Sequence, residues 1–269
     1  MIASTSQPWP SGWISPPFWP GVRALMTARE SLHFATASQA PWDGFNLGNH
    51  VGDELADVLK HRGELAAALQ AQPLWLQQVH GQCVVRLTHS AKDALAETQA
   101  DGVFTTEPGL VCAVMVADCL PILLAAPEGR GVAALHAGWR GLAGAGDLNG
   151  LGIADTGVAA LCEATSSDPS DLQAWLGPCI GPTVFQVGRD VLIGFGVDPN
   201  QNHPRFIRQL PDRWLADLAG LATDRLQSLG INRIEGGHLC TVAEPSRFFS
   251  FRRDRVTGRQ AACIWLDGA

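Results

Sequence analysis

Three short segments end an apolar run with a reactive side chain: Gln77-Gln78-Val79-His80-Gly81, Val116-Ala117-Asp118-Cys119-Leu120-Pro121 and Leu135-His136-Ala137-Gly138-Trp139-Arg140-Gly141. Strand ends are where side chains leave a core and converge on a cleft. Two imidazoles and one thiolate supply three ligands to zinc, leaving a fourth tetrahedral position open for water or substrate. Zinc held in this way lowers the pKa of its water toward ~7. Without metal, Cys119 and His136 can act as a thiolate nucleophile and its base. The three residues lie 39 and 17 positions apart, which matches no compact metal motif. On spacing alone the signal is weak, and Cys119 reads first as a small buried thiol and each histidine as a turn cap or a surface residue.

Arginines give a second clue. Arg140 follows His136 closely, and Arg252, Arg253, Arg255 and Arg259 cluster near the C-terminus. Guanidinium forks match phosphate or carboxylate, although Asp254 makes a plain solvated turn an equal reading. Asp118 can orient a histidine or bind substrate hydroxyls. Cys179 sits in the tight turn Gly177-Pro178-Cys179-Ile180-Gly181, where backbone can approach a ligand. His50 reads as a local hydrogen-bond partner, and His238 with Cys240 as a structural pair. His33, His61, His89 and His203 lack supporting context.

The elements that must position these groups are legible in outline. The chain has 269 residues, 46% apolar and 17% charged, enough for a sizeable core. Its net charge of -7 disfavours nucleic-acid binding. No apolar window is long enough to span a bilayer, and no signal peptide is readable at the start. Seven cysteines, an odd number without a CxxC pair, point to a reducing compartment. A cytoplasmic location is therefore expected.

Residues 1–20 read as an irregular lead-in, followed by a strand over Val22–Thr27. Asp53 reads as the N-cap of a helix over 54–71. Strands are expected at Leu74–Val79 and Cys83–Leu87. The apolar runs Leu110–Ala117, Ile122–Ala126 and Gly131–His136 read as the central strands, buried on both faces. Gly138–Gly157, with seven glycines, reads as a loop. Short elements follow at Asp155–Ala164, Ala174–Leu176 and Arg189–Phe195. The strongest helical pattern covers Asp212–Leu229, with Gly230 as its stop. Ile231–Glu235 and Ala261–Leu266 read as closing strands. No repeat or linker divides the chain, so 1–269 reads as a single domain of mixed helices and strands.

Several segments together resemble the laccase-domain family, whose members are described as multicopper polyphenol oxidoreductases, as purine nucleoside phosphorylases and as peptidoglycan-editing factors. The matching stretches are Asn46-Leu47-Gly48 with Val51-Gly52-Asp53, Gln78-Val79-His80-Gly81, Ala100-Asp101-Gly102, Ala117-Asp118-Cys119, His136-Ala137-Gly138-Trp139-Arg140-Gly141, Gly177-Pro178-Cys179-Ile180-Gly181, and Phe248 to Asp254 with Thr257-Gly258-Arg259. Seven motifs in order are far more specific than any one. The resemblance implies an α+β fold of mixed β-sheets in a four-layer α/β/β/α arrangement, like that of cytotoxic necrotizing factor. It implies that His80, Cys119 and His136 are the catalytic and metal-binding residues. Asn46, Gln78, Asp118, Arg140, Cys179 and Arg253 are then the expected substrate contacts.

The implied activities are phosphorolysis of adenosine, inosine, guanosine and methylthioadenosine, and zinc-assisted deamination of adenosine. The implied partners are a nucleoside and phosphate, met by a monomer or weak homo-oligomer. The alternatives are a Cys-His hydrolase editing peptidoglycan precursors, a polyphenol oxidase holding copper, and a non-catalytic metal-binding module. The chain departs from the family in places. Phe251 replaces a usual Tyr, Arg255 a usual Gly, an early Gly-Gly-x-Ser motif after Arg29 is missing, and Gly144–Ala154 reads as an insertion. A conventional laccase needs several coppers and a histidine-rich ligand set. With eight histidines, no His-x-His pair and three Met, the chain suits one metal better, with zinc the expected ion and copper the other possibility.

Overall fold

A computed structural model of the chain describes residues 9–30, 37–96 and 98–268. The first eight residues of the expected lead-in, His33 and most of the stretch after Arg29 lie outside that set. Strand β1 (Val22–Met26) leads to helix α1 (Leu55–Leu69) and the short strands β2 (Pro73–Leu74), β3 (Val84–Arg86) and β4 (Gly102–Thr105). The three apolar runs form β5 (Val111–Val116), β6 (Leu120–Ala125) and β7 (Val132–Ala137), and every residue in them is buried. Helices α2 (Trp139–Ala143) and α3 (Ile153–Thr165), strands β8 (Gln173–Leu176) and β9 (Gln186–Val187), and helix α4 (Arg189–Gly194) come next. The chain closes with β10 (Phe206–Leu210), β11 (Arg213–Ala216), α5 (Leu218–Ser228), β12 (Arg233–Gly236), α6 (Phe251–Asp254) and β13 (Gln260–Leu266).

The described strands form a four-stranded sheet, β1-β13-β5-β2, a six-stranded sheet, β12-β8-β6-β7-β4-β3, and a small sheet, β10-β11-β9. The two-residue period of a strand decides the layering. On β5, Cys112, Val114 and Val116 pack with Leu123 and Ala125 of β6 and Val132 and Ala134 of β7, so the two larger sheets meet face to face. Val111, Ala113 and Met115 point the other way, onto Leu65 and Leu69 of α1. Ile122, Leu124, Ala133 and Leu135 meet Val158 and Leu161 of α3 and Leu221 of α5. The order is helix, sheet, sheet, helix. This is the α+β, α/β/β/α arrangement that the resemblance implies. Among the described residues, no helix is long and apolar enough to cross a membrane.

Four expectations need correction. The strand over Leu74–Val79 stops at Leu74, because Gln78 completes the edge of β5 with its side chain: Oε1 accepts from Met115 N–H and Nε2 donates to Met115 O, both at 2.8 Å. The glycine-rich 138–157 stretch is not a plain loop; it holds α2, closed by Gly144 at φ 64°, and the start of α3. The helix expected over Asp212–Leu229 begins only at Leu218. Asp212 turns at φ 55° between β10 and β11, and the Asp217 carboxylate caps α5 by accepting from Gly220 N–H at 2.9 Å. Asp53 is not the cap of α1. Glu54 occupies that position, and the Asp53 carboxylate accepts instead from Ser38 and Asn46.

Candidate active site

On β7 the parity that turns Val132 and Ala134 toward the opposing sheet carries on to His136, at the mouth between the two sheets. Cys119 stands on the connection from β5 to β6, directly after Asp118, whose backbone is left-handed at φ 91°. His80 turns at φ 61°. Non-glycine residues in that region are held by their surroundings, and they cluster at functional sites.

The group that holds His80 is Asp101, fully buried next to β4. Its Oδ1 accepts from His80 N–H at 2.9 Å and from His136 Nδ1 at 2.7 Å. Its Oδ2 accepts from Val79 N–H at 3.2 Å and Gly81 N–H at 2.6 Å. One carboxylate thus ties the His80 turn to the imidazole of His136 and leaves His136 Nε2 for the cavity. Two glycines make room for the turn. A Cβ on Gly138 would lie 2.7 Å from His80 Cδ2 and 3.2 Å from Cys119 Sγ, and one on Gly141 would lie 2.7 Å from the Gly81 carbonyl oxygen. That is what the glycines of the 136–141 motif do.

His80, Cys119 and His136 offer ligand atoms that all lie within 4.8 Å of one another. Cys119 Sγ is 3.7 Å from His80 Nε2, and the two rings meet edge to face at 4.8 Å between centroids. Burial opposes charge on Cys119, but His136 and His80 overcome it and bring the thiol down to about 6. Burial likewise opposes protonation of His136, and Cys119 with Asp101 overcomes it, raising the imidazole to about 9. Asp101 is held below its usual value: burial is outweighed by His136 and by the N–H groups of Gly81 and His80. Without metal the site is a thiolate–imidazolium pair, and a thiolate is the form that binds a metal.

The donor set fits one ion. Tetrahedral zinc, with bonds of about 2.0–2.1 Å to nitrogen and about 2.3 Å to sulfur, sets those atoms about 3.5 Å apart. The Cys119–His80 pair, at 3.7 Å, already matches, and the widest separation in the trio, within 4.8 Å, would close by up to about 1 Å around an ion. Among the described residues no other group of three such donors assembles.

The cluster floors a cavity of about 620 Å³, within the usual size of small-molecule sites. Gln78 lines it beside Met115 and Val116. The other expected substrate contacts lie elsewhere. Asn46 is buried, and its Oδ1 accepts from Gly48 N–H and Arg259 N–H. Asp118 accepts from Thr241 Oγ1 at 2.6 Å and Arg252 N–H at 2.5 Å. Cys179 is buried next to Cys240. Arg140 lies over the Trp139 ring. The guanidinium of Arg253 donates to the carbonyls of Thr241, Val242 and Phe248 and to Asp254. Residues lining the cavity that the sequence did not mark are Arg62, Trp75 and Asn49. Asp101 was visible only as part of the Ala100-Asp101-Gly102 motif.

Fold and site together define a class, a four-layer α/β/β/α protein with an open Cys/His₂ pocket. The chain belongs to the family described as multi-copper polyphenol oxidoreductase laccase, whose model matches residues 23–267. It is 41% identical over 252 residues to purine nucleoside phosphorylase YfiH of Escherichia coli K12, covering 93% of this chain and 97% of that protein. It is 35% identical over 270 residues to purine nucleoside phosphorylase YlmD of Geobacillus stearothermophilus, covering 94% of each. Among solved structures, Neisseria meningitidis protein NMB0706 superposes with a TM-score of 0.83 at 35% identity, covering 96% of this chain and all of that one.

Proposed function

We propose that the chain is a cytoplasmic purine nucleoside phosphorylase that also deaminates adenosine, built around His80, Cys119 and His136 with zinc as the ion they hold. Its substrates are adenosine, inosine, guanosine and methylthioadenosine. One observation carries the reading. A Cys/His₂ cluster floors a nucleoside-sized cavity in a chain 41% identical to a protein named purine nucleoside phosphorylase.

The residues divide the work. Trp75, with Arg62 over its ring, gives the purine an aromatic wall, and Met115 backs that wall. Gln78 is locked to Met115 and keeps that wall rigid. Asp101 keeps the imidazole of His136 turned toward the cavity. Asn46, Asp118, Cys179 and Arg253 act from behind, by holding the turns that carry the cavity walls. Zinc, when bound, supplies Lewis-acid polarisation and acidifies water. In phosphorolysis a phosphate oxygen bonds to C1′ as the C1′–N9 bond breaks. N9 keeps the electron pair, and the proton of the phosphate ends on the purine. The transition state resembles an oxocarbenium ion, as in glycoside cleavage.

The test is release of hypoxanthine and ribose 1-phosphate from inosine plus phosphate, with loss of that release in Cys119→Ala. No product from the wild type sinks the reading. The thiolate–imidazolium pair favours a second reading, a Cys-His hydrolase acting on a peptidoglycan precursor. A chelator separates the two: it abolishes the first activity and spares the second.

A further inference from the structure

In a chain of net charge -7, the active cavity carries the opposite sign. Its lining includes Arg62, Arg259 and His50 beside the histidines of the cluster, and no aspartate or glutamate lines it among the described residues. A cavity of one sign with low-dielectric walls concentrates ligands of the other.

Both arginines are mounted on one turn, Leu47-Gly48-Asn49. Arg62 Nε donates to the Leu47 carbonyl at 2.9 Å and Nη2 to Asn49 Oδ1 at 3.3 Å, while its guanidinium lies 4.4 Å from the Trp75 ring centre. Arg259 reaches the turn from the other side. Leu47 N–H donates to the Arg259 carbonyl at 3.0 Å, and Arg259 N–H donates to Asn46 Oδ1 at 2.8 Å. Its side chain lies on Gly48, where a Cβ would come within 2.7 Å of Arg259 Cγ. Its Nη1 donates to the carbonyls of Thr257 and Gly258 at 3.1 and 3.0 Å. No carboxylate forms an ion pair with Arg259 among the described residues, and of the two anions that act on it Cys119 is paired with His136, while Asp118 is taken up by Thr241 and Arg252 N–H. A desolvated guanidinium braced by carbonyls and turned to a cavity is completed by an anion. The motifs at 46–48 and 257–259 are thereby accounted for as the two halves of one mount.

We propose that Arg259 and Arg62 form a subsite for a tetrahedral oxyanion, and that orthophosphate fills it during phosphorolysis. The second half rests on the nucleoside reading above. The site is then the source of the attacking oxygen: the P–O⁻ oxygen bonds to C1′, N9 leaves with the pair, and the P–OH proton passes to the purine. Arg140 and Arg253, directed elsewhere, take no part.

The experiment has three arms on the full-length chain: calorimetric titration with inorganic phosphate, steady-state phosphorolysis of inosine at varied phosphate, and titration with inosine 5′-monophosphate. Arg259→Gln is expected to weaken phosphate binding and raise its KM about tenfold or more, with the inosine KM changed less than about threefold. Arg259→Lys should recover part of this, since it keeps the charge and loses the fork. If Arg259→Gln does not fold, Gly48→Ala displaces the same side chain and should give the same KM split. Affinity for both phosphate and the nucleotide within twofold of wild type in the folded variants overturns the subsite. If only the nucleotide is weakened, the occupant is a phosphate ester and the orthophosphate assignment falls. Phosphate binding that Arg259→Gln abolishes, in a wild type that does not cleave inosine, upholds the oxyanion subsite and removes the nucleoside reading instead.

Discussion

Replacing Asp101 by Asn tests whether one buried carboxylate organises the active site. The substitution keeps shape and removes one acceptor atom. Each oxygen of Asp101 receives two N–H donors, Oδ1 from His80 and His136, Oδ2 from Val79 and Gly81. Whichever way the amide turns, its NH₂ faces two groups that donate in the wild type, and it can pair with one of them only if His136 gives up its Nδ1 proton. Hydrogen bonds to a charged group contribute about 1.5–3 kcal/mol each, so two lost bonds cost about 3 kcal/mol at least. In a chain of this size that lowers Tm by about 6–12 °C. If the NH₂ faces His136, Nδ1 must become the acceptor and the proton moves to Nε2, the atom that would bind a metal. Zinc affinity then falls about 10–100-fold, the usual effect of losing such a partner. Differential scanning calorimetry and competition against a chromogenic chelator read the two effects separately. An Asp101→Asn protein with unchanged Tm and zinc affinity within twofold of wild type would refute the argument.

Gly138→Ala should cut turnover at least about tenfold with little change in Tm, because its Cβ would press on the His80 ring and Cys119 sulfur while the strand behind stays in place. Metal-free protein should be alkylated by iodoacetamide at Cys119 with a midpoint near pH 6, read by mass spectrometry. The sign follows from the pair: the depressed thiol keeps its charge as pH falls until about 6, and His136 loses its own as pH rises through about 9. The stabilisation from their attraction is therefore present between those limits and fades on both sides. A midpoint near the ordinary thiol value would contradict this. Asp217→Ala, which removes the cap of α5 and one partner of Arg205, should cost about 1–2 kcal/mol in urea unfolding and leave phosphorolysis unchanged.

The central sheets were legible because β5, β6 and β7 are buried on both faces and read as unbroken apolar runs. Misreadings arose where local pattern and tertiary contact disagree. Trp214 and Leu215 fit a helical stripe together with Leu218 and Leu221, yet Trp214 pairs with Val187 and Arg208 in a sheet, and only the turn at Asp212 reveals it. The trio at the site could be named from its motifs but not from its spacing, since β6, β7 and the His80 turn meet only after folding. Asp101 was silent for another reason: an aspartate between Ala100 and Gly102 has no local partner, and all four of its donors come from 20 or more residues away.

The family description speaks of several coppers, whereas the described residues assemble one three-donor centre. Among the described residues, His61, His89 and His203 do not extend it. His61 Nδ1 lies 3.0 Å from the Asn46 carbonyl, His89 Nε2 faces the Pro108 carbonyl, and His203 Nδ1 accepts from Arg205 N–H. His50 shares the cavity but stands among the arginines. Burial first, then Arg259 and Arg62, hold it below its usual pKa, so it stays neutral beside them. Electron transfer between copper centres needs a chain of such sites, and none is built here among the described residues. One ion held by the trio would stand beside two guanidiniums, and such an arrangement suits moving an anion or a water onto carbon. That is why the sign of the cavity, more than the metal it holds, separates the nucleoside reading from the oxidase one. Screening the arginines with salt should raise the KM for phosphate and leave the oxidation of a neutral phenol untouched.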